Sequence, residues 1–165
     1  MNIPTYRHNQ LIGELYLALS DLLKSRRYEA MHGEQALAYE GNQYFLPSLM
    51  EHDRCSQDML DYLPFVQPDF MLFKVNRYLI DKPGIKLVGL PNLIIEIWNP
   101  YDTNDERNLK RKLYSSKSCV EHWYISQDCN LVDCWLGNYH FPNQHLTNVL
   151  KTIDDISIDL RYLAL

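Results

Sequence analysis

The chain has 165 residues, enough for one domain with a sizeable core, and a single domain spanning 1–165 is expected. A net charge of −5 argues against a surface coated in nucleic acid but leaves room for a local basic strip. No apolar run approaches the roughly 18–20 residues that cross a bilayer, and the opening MNIPTYRHNQ lacks an apolar signal core, so an intracellular, cytoplasmic protein without a membrane partner is expected.

In chain order, the first predicted element is a helix in YRHNQLIGELYLALSDLLKSRR. Leu11, Leu15, Leu19 and Leu22 or Leu23 recur there at helical spacing, and the basic end suits a helix C-terminus. YEAMHGEQALAYEGNQYFL reads as short strands joined by turns at Gly33 and Gly41-Asn42. SLMEHDRCSQDMLDYL reads as a surface loop with a helical turn. FVQPDFMLF reads as a strand entered through Pro68, and KVNRYLIDKPGIKLVGLP as a turn-rich connection. NLIIEIWNP, apolar, rich in β-branched residues and closed by Asn-Pro, reads as a strand buried on both faces. In YDTNDERNLKRKLYSSKS, Thr103 followed three residues later by Glu106 is a capping box that starts a helix. EHWYISQDCNLVDCWLGNYHF reads as two antiparallel strands turning near Gln127 to Asn130, and IDDISIDLRYLAL as a short amphipathic end segment. The order predicts an α/β (α+β) protein around one central sheet. Cys55, Cys119, Cys129 and Cys134 show neither Cys-x-x-Cys pairing nor finger-like His spacing, which favours reduced thiols over structural zinc.

Two acids sit in apolar strands. Glu96 lies within NLIIEIW, and Asp69 is followed by Phe70, Met71, Leu72 and Phe73. An ionised carboxylate buried without a partner costs several kcal/mol or more, so each must be neutralised, ion-paired or bound to a metal. Taken singly, Asp69 reads more readily as a strand-end or turn acid and Glu96 as half of an ion pair with a nearby Arg or Lys. Taken together on neighbouring strands they repel one another unless a cation lies between them, and carboxylate oxygens suit Mg²⁺. On the helix after Pro100, Leu109, Leu113 and Tyr114 define the inward face. Lys110 lies between Leu113 and Tyr114 in angle, so it either leans over the sheet or snorkels past to solvent. Arg107, Arg111, Lys112 and Lys117 read as a solvated face or as phosphate contacts.

The succession QPDF, GLPNLIIEIWNP, NLKRKLY and VEHWYIS resembles the Uma-two family (DUF820) of candidate restriction endonucleases, within the PD-(D/E)XK nuclease superfamily. The likeness runs from about His8, where that family's first helix usually begins with His, to Trp135. It implies a restriction-endonuclease-like mixed central sheet flanked by helices. It also implies divalent metal, Mg²⁺ with Mn²⁺ as substitute, on Asp69, Glu96 and the peptide carbonyl of Ile97, with Asp69, Glu96 and Lys110 catalytic. Where the superfamily carries a lysine two residues after its second acid, this chain has Trp98, and Lys110 matches a lysine moved to the following helix. Asn99 stands in place of the usual Ser, a change that bears on the pocket, and Ser118 in place of a usual Gly. The chain also begins close to the first helix, where many relatives carry a leading segment, and its 46–63 loop is longer than expected. Glu14 reads as a further metal-side acid or an exposed helical Glu.

The resulting expectation is a Mg²⁺-dependent endonuclease hydrolysing DNA. Its alternatives are a catalytically silent nuclease-fold module that binds nucleic acid or a protein partner, and a hydrolase of another phosphate ester. Nucleases of this kind often pair to cut two strands, so a homodimer is expected, with Trp123, Tyr124 and Trp135 available for an interface or for core packing.

Overall fold

The computed structural model describes residues 6–32, 36–40, 43–44, 64–74, 78–80, 86–89, 91–99, 101–126, 131–142, 144–145, 149–151 and 157–159. The expected 48–63 loop, the turns at Gly33, Gly41-Asn42 and 127–130, and Pro100 lie outside the described residues, as do Cys55 and Cys129. Cys119 and Cys134 are free thiols.

The first helical segment has two parts, α1 (Tyr6–Ala18) and α2 (Ser20–Lys24), rather than the single helix expected. Hydrogen bonds from Leu19 N to Leu15 O and from Leu23 N to Leu19 O carry the axis through the break. Arg26, with φ 60°, then turns the chain into β1 (Tyr28–His32). There follow β2 (Ala36–Glu40), β3 (Gln43–Tyr44), β4 (Phe65–Val66), β5 (Phe70–Lys74), β6 (Tyr78–Ile80), β7 (Lys86–Gly89) and β8 (Leu93–Trp98). The second half holds α3 (Asn104–Tyr114), β9 (Glu121–Ser126), β10 (Leu131–Leu136), β11 (Tyr139–His140), β12 (Gln144–His145), β13 (Val149–Lys151) and β14 (Ser157–Asp159).

Among the described residues the main sheet is mixed and seven-stranded, ordered β1-β5-β8-β9-β10-β11, with β12 also paired to β10. Only β8 and β9 run parallel in it, and α3 links them. A second sheet, ordered β3-β2-β7-β6 with β4 on β2, takes the strands before and after β5. The expected single strand FVQPDFMLF is therefore two: β4 belongs to the second sheet and β5 to the main one. Pro68, unable to donate to a ladder, lies at the crossing. The connection 74–91 contains the hairpin β6–β7 rather than turns alone, and the end segment 153–165 contributes β14, paired with β13.

The period-2 alternation of β8 assigns its faces. Leu93, Ile95 and Ile97 pack with Leu11, Leu15 and Leu19 of the first helical segment, together with Trp123 and Ile125. Ile94 packs on the other side with Leu113 and Tyr114 of α3. Glu96 shares that second face, so the buried acid of the strand necessarily looks toward α3. Both helices thus flank the central sheet, as the restriction-endonuclease-like arrangement requires. Trp123 and Tyr124, 1% and 2% exposed, are core residues and leave no surface for an interface, and Trp135 is partly buried against His140.

Gly137, at φ +55°, closes the turn after β10. Its N–H donates to Val120 O, and a Cβ there would stand 2.8 Å from the Ser118 Cα. Among the described non-glycine residues only Arg26 has positive φ, so Ser118 accepts a side chain without strain. Gly137→Ala is expected to lower folding stability by on the order of 1–3 kcal/mol, read from the urea midpoint. A midpoint equal to that of the parent would contradict the close approach.

Candidate active site

The acids meet because the β5–β8 ladder stops early. Its pairs are Leu72↔Leu93, Met71↔Ile94 and Phe70↔Ile95; one further step would set Asp69 opposite Glu96, and a second would set Pro68 opposite Ile97. Pro68 has no N–H to donate to a continued ladder, and the Ile97 N–H is taken by the Asp69 side chain, whose Oδ2 accepts it at 2.7 Å. Beyond that point the strands part and open a cleft of about 350 Å³, lined among others by His8, Asp69, Glu96, Trp98, Arg107 and Lys110.

Glu96 is 1% exposed. Its Oε2 accepts from Lys110 Nζ at 2.9 Å and its Oε1 from the Tyr114 hydroxyl at 2.5 Å. Lys110 also donates to Gln67 O at 3.3 Å, so it leans over the sheet rather than snorkelling to solvent. Burial pushes the Glu96 carboxyl up to about 8; Lys110 and Tyr114 oppose this, and the Asp69 charge adds to it. Asp69 is also penalised by burial, but the His8 hydrogen bond, Lys110 and the Ile97 amide outweigh this and hold it below the usual carboxylate range. His8 lies on α1 with Nε2 at 2.9 Å from Asp69 Oδ1, a contact that outweighs its burial and raises its affinity for a proton. Lys110 loses by desolvation yet is held up by Glu96 and Asp69, so it is an ammonium at neutral pH.

The helix face is set by its cap. Thr103 Oγ1 accepts from Glu106 N at 3.2 Å while Glu106 Oε2 accepts from Thr103 N at 3.3 Å, the expected capping box. Leu113 and Tyr114 seat α3 in the core, but Leu109, expected to point inward, is 50% exposed at the cleft. Arg107 and Arg111 are not the solvated residues their polarity suggested. Their guanidinium carbons lie 4.7 and 4.9 Å from the centroid of the Trp98 ring. Trp98 in turn rests on Tyr124 at 4.6 Å. Tyr124 donates to His122 Nδ1 at 2.6 Å, because Nε2–H of the neutral imidazole is committed to Gly137 O at 2.7 Å. Burial lowers His122 to about 4, which keeps that ring neutral. Asn99, buried, donates its backbone N–H to Asp102 Oδ2 and accepts Arg107 Nη2 at its backbone carbonyl at 2.6 Å, while its side-chain Oδ1, the group that differs from Ser, accepts the Tyr101 N–H at 3.0 Å.

Sequence reasoning brought forward Asp69, Glu96, Ile97 and Lys110, and the structure gathers all four at one cleft edge. Glu14 does not line it. What that reasoning missed was the clamp on the acids from His8 and Tyr114, and Arg107 on Trp98. The signal was present: Arg107, Lys110 and Tyr114 at i, i+3 and i+7 share one helix face. Among the described residues no group of three or more His, Cys, Asp or Glu gathers as a metal cluster. The donor chemistry nevertheless fits a divalent cation. Two carboxylates converge where positive charge is short, for with Lys110 alone beside it Glu96 still holds its proton to about 8. Each acid oxygen accepts one described hydrogen bond or ion pair, and once Glu96 gives up its proton each keeps a second lone pair.

No family model matches the chain, and no curated protein is similar to it. Among solved structures it is similar to a candidate nuclease belonging to DUF820 from Anabaena variabilis ATCC 29413, with a TM-score of 0.63 and 15% identity over 99% of this chain and 85% of that one. At that identity the likeness is one of fold, and it falls on the family that the sequence motifs resemble.

Glu96 provides a direct check. Its carboxyl binds a proton more tightly in the folded chain than its ordinary value of 4.5, so between about 4.5 and 8 the folded state carries the extra proton and stability falls as pH rises. Without divalent ions, Glu96→Gln is therefore expected to be more stable than the parent at pH 8.5, by on the order of 3 kcal/mol, and nearly equal at pH 5. Urea unfolding at both values measures this, and an equal difference at both would refute the assignment.

Proposed function

We propose that the chain is a metal-dependent endonuclease that hydrolyses DNA phosphodiester bonds. The observation that carries the reading is the convergence of Asp69 and Glu96 on one cleft under the ammonium of Lys110. The DUF820 structure, described as that of a candidate nuclease, supports the same reaction class. Asp69, Glu96 and the carbonyl of Ile97 would hold Mg²⁺ or Mn²⁺. A divalent ion there supplies positive charge to a phosphodiester and makes nearby water more acidic. Lys110, protonated, acts as a donor: it orients the attacking water and stabilises the negative charge that develops on phosphorus-bound oxygen. Tyr114 and the Ile97 amide fix the directions of the two carboxylates, so the site is organised before substrate arrives.

The net charge of −5 favours a second reading, a nuclease fold that binds without cutting. One assay separates them. With Mn²⁺ or Mg²⁺ the parent is expected to nick supercoiled plasmid, and Asp69→Asn, Glu96→Gln and Lys110→Met are each expected to slow nicking about 100-fold or more. Equal traces of nicking in parent and variants would establish the non-catalytic alternative. Calorimetric titration with Mn²⁺ at pH 7 is expected to show binding that depends on both acids and releases a proton, since Glu96 below pH 8 is still protonated. Binding that survives loss of both acids would remove the metal site from this cleft.

A further inference from the structure

We propose that Arg107 binds the backbone phosphate next to the one cut, fixing the register of the nucleic-acid strand in the cleft; this rests on the nuclease reading and adds a substrate contact to it. Among the described residues three basic side chains, His8, Arg107 and Lys110, line the cleft. His8 is committed to Asp69, and the Lys110 ammonium donates to Glu96 and interacts with the Asp69 charge. Among the described residues Arg107 forms no ion pair. It gives one N–H to a neutral carbonyl, that of Asn99, and lays its plane on Trp98. A guanidinium presents five N–H donors in a rigid fork that matches a phosphate, and stacking on an indole pre-orients that fork at little entropic cost. Among the described residues that line the cleft, its charge is thus the one with no acid in ion-pair contact.

The placement suits a second phosphate rather than the reacting one. Arg107 and Lys110 stand three residues apart on α3, so their Cβ atoms are about 5–6 Å apart along one helix face. That separation is comparable with one nucleotide step along a strand. With Lys110 over the acids, Arg107 meets the neighbouring phosphate. Arg111, stacked on the same indole, faces Asp133 at 3.8 Å and is occupied by it.

The test uses Glu96→Gln as a cleavage-deficient parent and measures its affinity for a 20-base-pair duplex across a salt series. Adding Arg107→Gln is expected to weaken binding about fivefold and to reduce the slope of log affinity against log salt by about one. Arg107→Lys, which keeps the charge but loses the fork and the stack, is expected to keep the parental slope and bind about threefold more weakly. Arg111→Gln is expected to leave the slope unchanged. A purely structural role for Arg107 would lower the melting temperature and leave the slope alone, and a parental slope in folded Arg107→Gln overturns the inference. If Arg107→Gln does not fold, parental affinity in Arg107→Lys overturns it instead. If the parent does not bind DNA, the nuclease reading fails and this contact with it, an outcome distinct from a parent that binds with an unaltered slope in the variant.

Discussion

The hydrogen-bonded contact between Lys110 and Glu96 ties the two halves of the molecule to one another chemically. A carboxyl on the central strand of a seven-stranded sheet, 1% exposed, is among the most expensive groups a fold can bury. It is tolerated because α3 delivers an ammonium and a phenol to its two oxygens, and because burial lets it keep a proton. An apolar residue at 96 would suit the strand better, flanked as it is by Ile94, Ile95 and Ile97. The acid is therefore a local violation of the pattern that builds β8, and such violations concentrate where a fold does chemistry.

Asp69 shows the complementary device, in which the sheet is left incomplete. The β5 ladder ends beside Pro68, two residues short of Ile97, and an acid side chain takes the amide that a backbone carbonyl would have taken. The gap lets the strands diverge and the same bond orients the carboxylate. One proline thus fixes the position of the cleft and the direction of its first acid, while His8 on α1 holds the other oxygen. Each acid is consequently clamped between the sheet and a different helix, which puts the site at the junction of three elements.

What was legible in the sequence follows from how local each signal is. β8 was readable because β-branched residues and a closing Asn-Pro make a strand with any partner, and the start of α3 because a capping box is complete within four residues. The pairing of Asp69 with Glu96 across strands was legible only through the order of motifs, since 27 positions separate them and register is not written locally. The inward turn of Arg107 and Arg111 was misjudged because charge was taken to mean solvent. A half-buried guanidinium laid over an indole is an arrangement that polarity scales do not anticipate. Leu109 failed in the opposite sense: a wheel assigns angles, but the cleft removes the neighbour it was to pack against. The division of the β1–β7 strands between two sheets had no sequence signature, because turn residues announce a reversal without saying which sheet receives the strand.

The presence of Trp98 where the resembled superfamily carries its lysine has a structural sense. Residues 96 and 98 share a face of β8, and that face is the one α3 covers. An ammonium can therefore reach Glu96 from the strand or from the helix and arrive on the same side of the sheet. With Lys110 supplying it from α3, position 98 is released to carry a ring, and the ring gives the helix a second hold through Arg107 and Arg111. Lys110, Tyr114 and Arg107 then all depend on one seating of one helix. Its rotation is fixed by the Thr103 cap at one end and by Leu113 and Tyr114 in the core at the other. A lysine on a strand is positioned by backbone pairing alone, whereas this one is positioned by packing. The geometry of the site is accordingly coupled to the stability of the layer formed by Trp98, Tyr124 and His122 beneath α3.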